Sequence, residues 1–178
     1  MMERLERTAL LFELAKQLHE KGSWCGETHL QKAAYWAEEL RSLPLGFQFI
    51  LYKHGPFSFD LRDELTSMRA DGLLELSPNT QPYGPTLRPS DRGDILLKRY
   101  RDILAQFADT ITRAANELAN KNVSELERLT TALYVTKREM PQDTAEKRAE
   151  RIRQIKPHIP FDKALQAIDA VDRVISDR

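Results

Sequence analysis

Apolar residues recur at helical spacing through the first forty positions and predict two amphipathic helices. Residues 3–21 place Leu11 and Leu18 on one face of the first helix. Thr28 begins the second, because its hydroxyl and the side chain of Gln31 fit the pattern of a capping box. The N-terminal segment is therefore expected to be a helical pair.

Alternation replaces helical spacing at residues 47–52, where aromatic and β-branched side chains predict a strand. A Gly-Pro pair then marks a turn. Ser58 or Asp60 can cap a third helix, and residues 73–88 have the pattern of a strand–loop–strand hairpin. Helix, helix, strand, helix and hairpin follow the winged-helix order with one strand moved.

The second half of the chain has only helical patterns. A helix from Asp91 to about residue 120, broken near 107–110, is followed by three more. We therefore predict a mainly α fold with a small β-hairpin. Residues 1–90 would form a winged-helix-like core, and residues 91–178 a helical extension packed on it as one compact body.

Charge and composition narrow the class of protein. Lys and Arg number 27, as do Asp and Glu, so the formal net charge is zero, whereas nucleic-acid binders usually carry a basic excess. The one cysteine, Cys25, is typical of a reducing compartment. No run of 18 apolar residues occurs, and acidic residues near the N-terminus are untypical of a signal peptide. We expect a soluble, cytoplasmic protein.

Catalytic and metal-binding motifs are missing from the sequence. The four histidines lack metal-ligand spacing, and no GxSxG, glycine-rich phosphate loop or HExxH motif occurs. No nucleophile and base can be paired from the sequence. We therefore expect a protein that is not an enzyme and that uses no metal or cofactor.

The predicted third helix carries more acidic than basic residues. Two basic and four acidic side chains give a net charge of −2, which opposes insertion into a DNA groove. The loop of the predicted hairpin, residues 78–85, has no Lys or Arg. Both features favour a protein partner over DNA. The charged side chains are Asp60, Arg62, Asp63, Glu64, Arg69 and Asp71.

A basic stretch covers residues 137–156, where seven basic residues against four acidic ones give a net charge of +3. Such a patch could bind nucleic acid or an acidic partner. The other interpretation is a solvated helix whose charges pair along its surface. The candidate nucleic-acid residues are Lys137, Arg138, Lys147, Arg148 and Arg151.

The segment Tyr52–Ser58, which joins the predicted strand to the third helix, is the strongest candidate site. It could be a partner-contact turn with Lys53 and His54 exposed. Alternatively it is a rigid turn, in which Gly55 supplies unusual dihedral angles, Pro56 fixes φ and Phe57 fills the core. On the second helix, Lys32 and Tyr35 share a face that could anchor a partner, since aromatic residues are enriched at binding hot spots.

The sequence of residues 30–72 contains Leu30-Gln31-Lys32, Tyr52-Lys53-His54-Gly55-Pro56 and Gly72-Leu73. This pattern resembles the bacterial YwgA-like and Panacea-type proteins, which are found near phage genes and in toxin–antitoxin pairs. Residues 126–135 and 155–169 also look like helices of that family. The group is similar to a C-terminal domain of macrodomain antitoxins that neutralises a DNA-modifying toxin. The resemblance implies a winged-helix-like fold and a regulatory or antitoxin-like role, without implying a substrate.

We therefore expect a non-enzymatic regulatory module that binds a protein, such as a toxin or another phage-defence component. The alternative is a winged-helix DNA-binding transcriptional regulator, dimeric, that uses the basic stretch. A structural subunit of a larger complex is a third interpretation. The expected partner-binding residues are Lys32, Tyr35, Lys53, His54, Gly55, Pro56, Phe57, Asp60, Arg62, Asp63 and Glu64.

Overall fold

A computed structural model describes residues 2–78 and 84–177. The contacts of the chain divide it into two units. Unit 1 consists of Met1–Phe49 and Ser58–Lys121, and unit 2 of Ile50–Phe57 and Asn122–Arg178. Eight residues from the middle of the sequence thus belong with the C-terminal helices, whereas the sequence pattern places a single boundary after residue 90.

The described residues form eight α-helices, four short strands and one π-helical turn. In chain order they are α1 (Arg4–Glu20), α2 (Glu27–Arg41), β1 (Ile50–Tyr52), β2 (Gly55–Phe57), α3 (Phe59–Ala70), β3 (Leu74–Ser77), β4 (Thr86–Pro89), α4 (Gly93–Arg99), α5 (Arg101–Leu118), α6 (Val123–Tyr134), the π-helical turn (Val135–Glu139), α7 (Ala145–Ile155) and α8 (Phe161–Ser176).

The strands form two separate antiparallel hairpins. In β1–β2, Ile50 lies opposite Phe57 and Tyr52 opposite Gly55. In β3–β4, Leu74 lies opposite Pro89. The mainly helical fold with a small hairpin is confirmed, and β3–β4 occupies the segment where the hairpin was predicted. Residues 79–83 of the expected loop lie outside the described residues.

The core of unit 1 forms around α1, which packs against α5 and α2. Leu10, Leu11 and Leu14 are inaccessible to solvent. Burial of such leucines stabilises the fold by about 2 kcal/mol each relative to exposure. Near the C-terminus of α5, the indole nitrogen of Trp36 donates to Glu117 Oε2 at 2.7 Å. Helix α2 is thereby fixed to α5 by a polar contact as well as by packing.

Residues 43–49 correct the prediction of a strand that begins at residue 47. Leu43, Leu45, Phe47 and Phe49 are buried while the residues between them are exposed, yet the strand starts only at Ile50. The alternating pattern therefore marks a segment that buries every second side chain but pairs with no strand among the described residues. The Glu38 carboxylate accepts hydrogen bonds from its Gly46 and Phe47 amides at 3.0 and 3.3 Å. Period-two hydrophobicity reports which side chains are buried and does not identify a hydrogen-bonding partner.

Two predicted helix boundaries are also corrected. Helix α2 starts at Glu27 after Gly26, so Thr28 is not its cap. The long helix expected from Asp91 begins at Gly93 and is interrupted at Tyr100, not near residues 107–110. Of the two predicted caps of α3, Ser58 is confirmed, because its Oγ accepts a hydrogen bond from the Leu61 amide at 3.2 Å, whereas Asp60 lies within the first turn.

Unit 2 is built from α6, α7 and α8 with β2 packed on α6. A bidentate ion pair joins α7 to α8, where Arg148 donates to the two carboxylate oxygens of Asp172 at 2.8 and 2.6 Å. Arg148 also donates to Thr136 Oγ1 at 3.0 Å in the π-helical turn. None of the helices in residues 2–78 and 84–177 combines the length and apolar character needed to cross a membrane.

Candidate binding site

The β1–β2 hairpin presents a mixed apolar and basic surface. The side chains of Ile50 and Tyr52 project from β1 and remain 48% and 52% exposed. The two residues of the turn, Lys53 and His54, are exposed as predicted. The Tyr52 ring lies 5.6 Å from the ring of Phe57. Tyrosine is one of the residues enriched at protein-binding hot spots.

The opposite side of this hairpin is packed tightly against α6. Gly55 has φ of +88°, and a Cβ atom there would lie 3.0 Å from Thr131 Oγ1. A side chain would therefore be strained by its backbone and would also crowd the Thr131 side chain of α6. Gly55 and Pro56 are buried, whereas Phe57 is half-buried. The rigid-turn interpretation thus describes the inner side of the hairpin, and the exposed turn its outer side.

Lys156 holds the turn from inside unit 2. Its side chain is buried, and Nζ donates to the carbonyl oxygens of Tyr52 and Lys53 at 2.6 and 2.5 Å. Burial lowers the pKa of Lys156, and the nearby carboxylate of Glu127 acts in the opposite direction. The ammonium group of Lys156 thus fixes the two-residue turn. The two carbonyl oxygens supply the acceptors that a buried lysine needs for its protons.

A second polar contact involves His158, two residues after Lys156. Glu127 on α6 is buried, and its Oε1 is 3.2 Å from Nε2 of the exposed His158. Thr131 Oγ1, which faces Gly55, is buried and has no hydrogen-bond partner among the described residues. The inner side of the hairpin is therefore bounded by polar groups of α6 and of the segment after α7.

The first residue after the hairpin is fixed in unit 1 by a reciprocal contact. Gln31 Nε2 donates to the Ser58 carbonyl at 2.8 Å, and the Ser58 amide donates to Gln31 Oε1 at 2.9 Å. Gln31 is fully buried. Its side chain satisfies a backbone N–H and C=O that would otherwise be costly to bury. Gln31 therefore anchors the start of α3 and is not part of a capping box.

Besides Gly55 and Pro56, three more predicted contact residues are not on the surface. Lys32 and Tyr35 are 1% and 0% exposed, and the Tyr35 ring packs edge-on against Phe49 at 5.0 Å. Glu64 is also buried, where it accepts hydrogen bonds from Thr8 Oγ1 at 2.7 Å and Arg4 Nε at 3.1 Å. These side chains stabilise unit 1 and cannot reach a partner in this conformation.

The remaining predicted residues of α3 are exposed but partly neutralised. Asp60, Arg62 and Asp63 face solvent, and Arg62 donates to Asp63 Oδ1 at 3.1 Å. Arg62 also lies over the ring of Phe59, at 5.2 Å. With Glu64 buried, the exposed charge of this helix is less acidic than its sequence indicates.

The predicted nucleic-acid patch is largely occupied by internal ion pairs. Arg148 is buried against Asp172, whose hydrogen bond raises the pKa of the guanidinium. Arg151 Nε lies 2.7 Å from Glu139 Oε2, and Lys147 Nζ lies 3.3 Å from Asp143 Oδ1. Lys137 and Arg138 are exposed. Pairing reduces the positive charge available to a phosphate backbone.

Nucleophilic and metal-binding groups elsewhere are buried or dispersed. Burial raises the pKa of the Cys25 thiol to about 12, so the thiolate is disfavoured. Burial lowers the pKa of His29, which hydrogen-bonds the backbone of Lys121. Among the described residues, no group of three or more His, Cys, Asp or Glu side chains could hold a metal ion.

Sequence reasoning found the exposed turn but missed the residues that hold it. Lys156 and Glu127 lie more than seventy positions away along the chain, and nothing in a helical pattern marks a lysine as buried. Tyr52 begins the candidate segment of residues 52–58 but is not among the predicted contact residues. Its alternation with Leu51 was the signal that could have identified it.

Comparison with known proteins does not assign the chain to a family. No protein-family model matches it, and no curated protein matches its sequence. The resemblance of residues 30–72 to YwgA-like and Panacea-type proteins therefore remains an expectation from the sequence.

Proposed function

We propose that this chain is a non-enzymatic binding module that engages a protein partner through the β1–β2 hairpin. The contact surface consists of Ile50, Tyr52, Lys53 and His54. The partner belongs to the setting that the sequence resemblance implies, a toxin or another component of a prokaryotic toxin–antitoxin or phage-defence system.

One observation carries this proposal: an exposed hairpin surface on a rigid base. Tyr52 is half exposed, while the turn behind it is held by Lys156 and by the close contact of Gly55 with α6. A pre-ordered surface loses little conformational entropy on binding, which favours affinity. Exposed tyrosine on a rigid base is typical of a binding anchor.

A winged-helix-like arrangement of α1, α2, α3 and β3–β4 is part of the same proposal. The order of these elements in the sequence supports it. In this proposal the module binds protein and not DNA, since the basic residues of α7 are engaged by neighbouring carboxylates.

The test compares two exposed hydrophobic residues on two hairpins. The protein is co-purified with the product of the gene adjacent to its own, and the affinity is measured by isothermal titration calorimetry. We expect Tyr52→Ala to weaken binding by about 2 kcal/mol, the loss typical of a hot-spot residue. Leu76→Ala, on β3 and 43% exposed, is the matched control and should leave the affinity unchanged.

A fluorescence-polarisation titration with duplex DNA addresses the alternative, a DNA-binding regulator. Affinity that falls steeply with salt, and that is lost on substitution of Lys137 and Arg138, would contradict the proposal. Equal losses from Tyr52→Ala and Leu76→Ala in the calorimetric experiment would also contradict it, since they would place the contact elsewhere.

A further inference from the structure

The carbonyl groups of the β1–β2 turn both point towards one buried cation. Lys156 Nζ donates one hydrogen bond to the carbonyl oxygen of Tyr52 and another to the carbonyl oxygen of Lys53. In a trans peptide unit the C=O and N–H bonds point in opposite directions. The amide of Lys53 shares its peptide unit with the Tyr52 carbonyl, and the amide of His54 shares its unit with the Lys53 carbonyl. Both N–H bonds therefore point away from Lys156.

These two amides are available to a ligand. Neither donates a hydrogen bond to another residue within 2–78 or 84–177, and both residues are exposed. Adjacent backbone N–H groups in a turn are donors that an anion can bind. A cation hydrogen-bonded to each carbonyl polarises the peptide unit and strengthens the donor at its other end.

The side chains around the turn have the same electrostatic preference. Lys53 adds an ammonium group, and His54 adds a second donor. Glu127, which lies near Lys156, is buried and paired with His158. Its carboxylate therefore does not compete at the exposed side of the turn.

We propose that this turn is a carboxylate-binding site and that the protein partner presents an Asp or Glu side chain to it. The inference rests on the proposed function and names the partner chemistry of the same surface. A protein carboxylate fits better than nucleic-acid phosphate, because the neighbouring exposed residues are Ile50 and Tyr52. Nucleic-acid affinity instead depends on neutralising several phosphates along a strand.

The test is a titration of the 15N-labelled protein followed by the amide resonances of Lys53 and His54. The probes are a capped Glu-Phe-Glu peptide, the isosteric Gln-Phe-Gln peptide, inorganic phosphate and a short DNA duplex. We expect both amides to shift saturably with the Glu peptide and weakly with the Gln peptide. Lys53→Glu should lower the affinity for the Glu peptide about tenfold, because a charge-assisted contact is lost. Lys147→Glu is the control for a general change in charge. It should alter the affinity for the Glu peptide less than twofold, because Lys147 is an exposed residue of α7 whose ion pair with Asp143 contributes little.

Equal binding of the Glu and Gln peptides would overturn the inference, as would shifts confined to α7. Stronger binding of the DNA duplex at the same two amides would replace the protein carboxylate by a phosphate ligand and overturn it as well. If Tyr52→Ala abolishes binding of the natural partner while Lys53→Glu does not, the contact hairpin stands and only the carboxylate site fails.

Discussion

The two hairpins of this chain are similar in size but are held by different means. The β3–β4 hairpin of unit 1 is joined to the chain by backbone contacts, in which the Leu87 amide donates to the Cys25 carbonyl at 2.9 Å. The β1–β2 hairpin of unit 2 is held by a buried ammonium group and by close packing at Gly55. The second arrangement fixes the conformation of the turn itself, which is what a pre-ordered contact surface requires.

The largest expected difference between the hairpins is the loss of stability on replacing one glycine in each. Gly55 begins β2, and Gly72 precedes β3. Gly55 and Gly72 both have positive φ, at +88° and +70°. A Cβ at Gly55 would meet Thr131 within α6, whereas one at Gly72 would meet the flexible end of the exposed Arg92. We expect Gly55→Ala to lower the free energy of unfolding by about 3 kcal/mol, from backbone strain and overpacking together.

Gly72→Ala is the matched control, with an expected loss of about 1–2 kcal/mol from backbone strain alone. Urea unfolding followed by circular dichroism measures both values. Equal losses would show that α6 yields to the new methyl group and that the turn is not tightly packed.

Removal of the buried cation should have the next largest effect. Lys156→Met keeps most of the side-chain volume but removes both hydrogen bonds to the turn. We expect a loss of about 2 kcal/mol, because the bonds involve a charged donor whose desolvation offsets part of their strength. Hydrogen exchange at Tyr52 and Gly55, which pair across the turn, should accelerate. Lys147→Met, at an exposed pair, should change neither measurement.

The smallest expected effect is a dependence of the unfolding free energy on pH, which is caused by Lys156. Burial lowers its folded pKa below the ordinary value of 10.5, so in the interval between the two the unfolded chain binds more protons. The unfolding free energy of the wild type should therefore rise with pH relative to Lys156→Met. Urea titrations of both proteins at increasing pH, up to the ordinary pKa of 10.5, measure that difference, and a decrease with pH would contradict the lowered pKa.

Much of the fold could be predicted because the relevant signals are local. Helical spacing located α1, and the hydroxyl of Ser58 identified the cap of α3. The pattern at residues 73–88 located β3–β4. The β1–β2 hairpin was missed because a Gly-Pro pair predicts a turn, whereas Gly55 and Pro56 begin a strand here.

The site could be predicted only in part, because its supporting contacts connect distant positions. Exposure of Lys53 and His54 follows from their place beside a turn signal. Burial of Lys32 and Lys156 cannot be read from residue type, since lysine is almost always exposed. The reciprocal bonds of Gln31 with Ser58 depend on two segments whose approach is a property of the tertiary structure.

Hydrogen exchange of the complex with the adjacent gene's product, compared with the free chain, locates the contact surface. We expect slower exchange at residues 50–57 in the complex and unchanged exchange at 74–77 and 86–89. Protection of β3–β4 or of α7, with residues 50–57 unchanged, would contradict a contact surface on the β1–β2 hairpin.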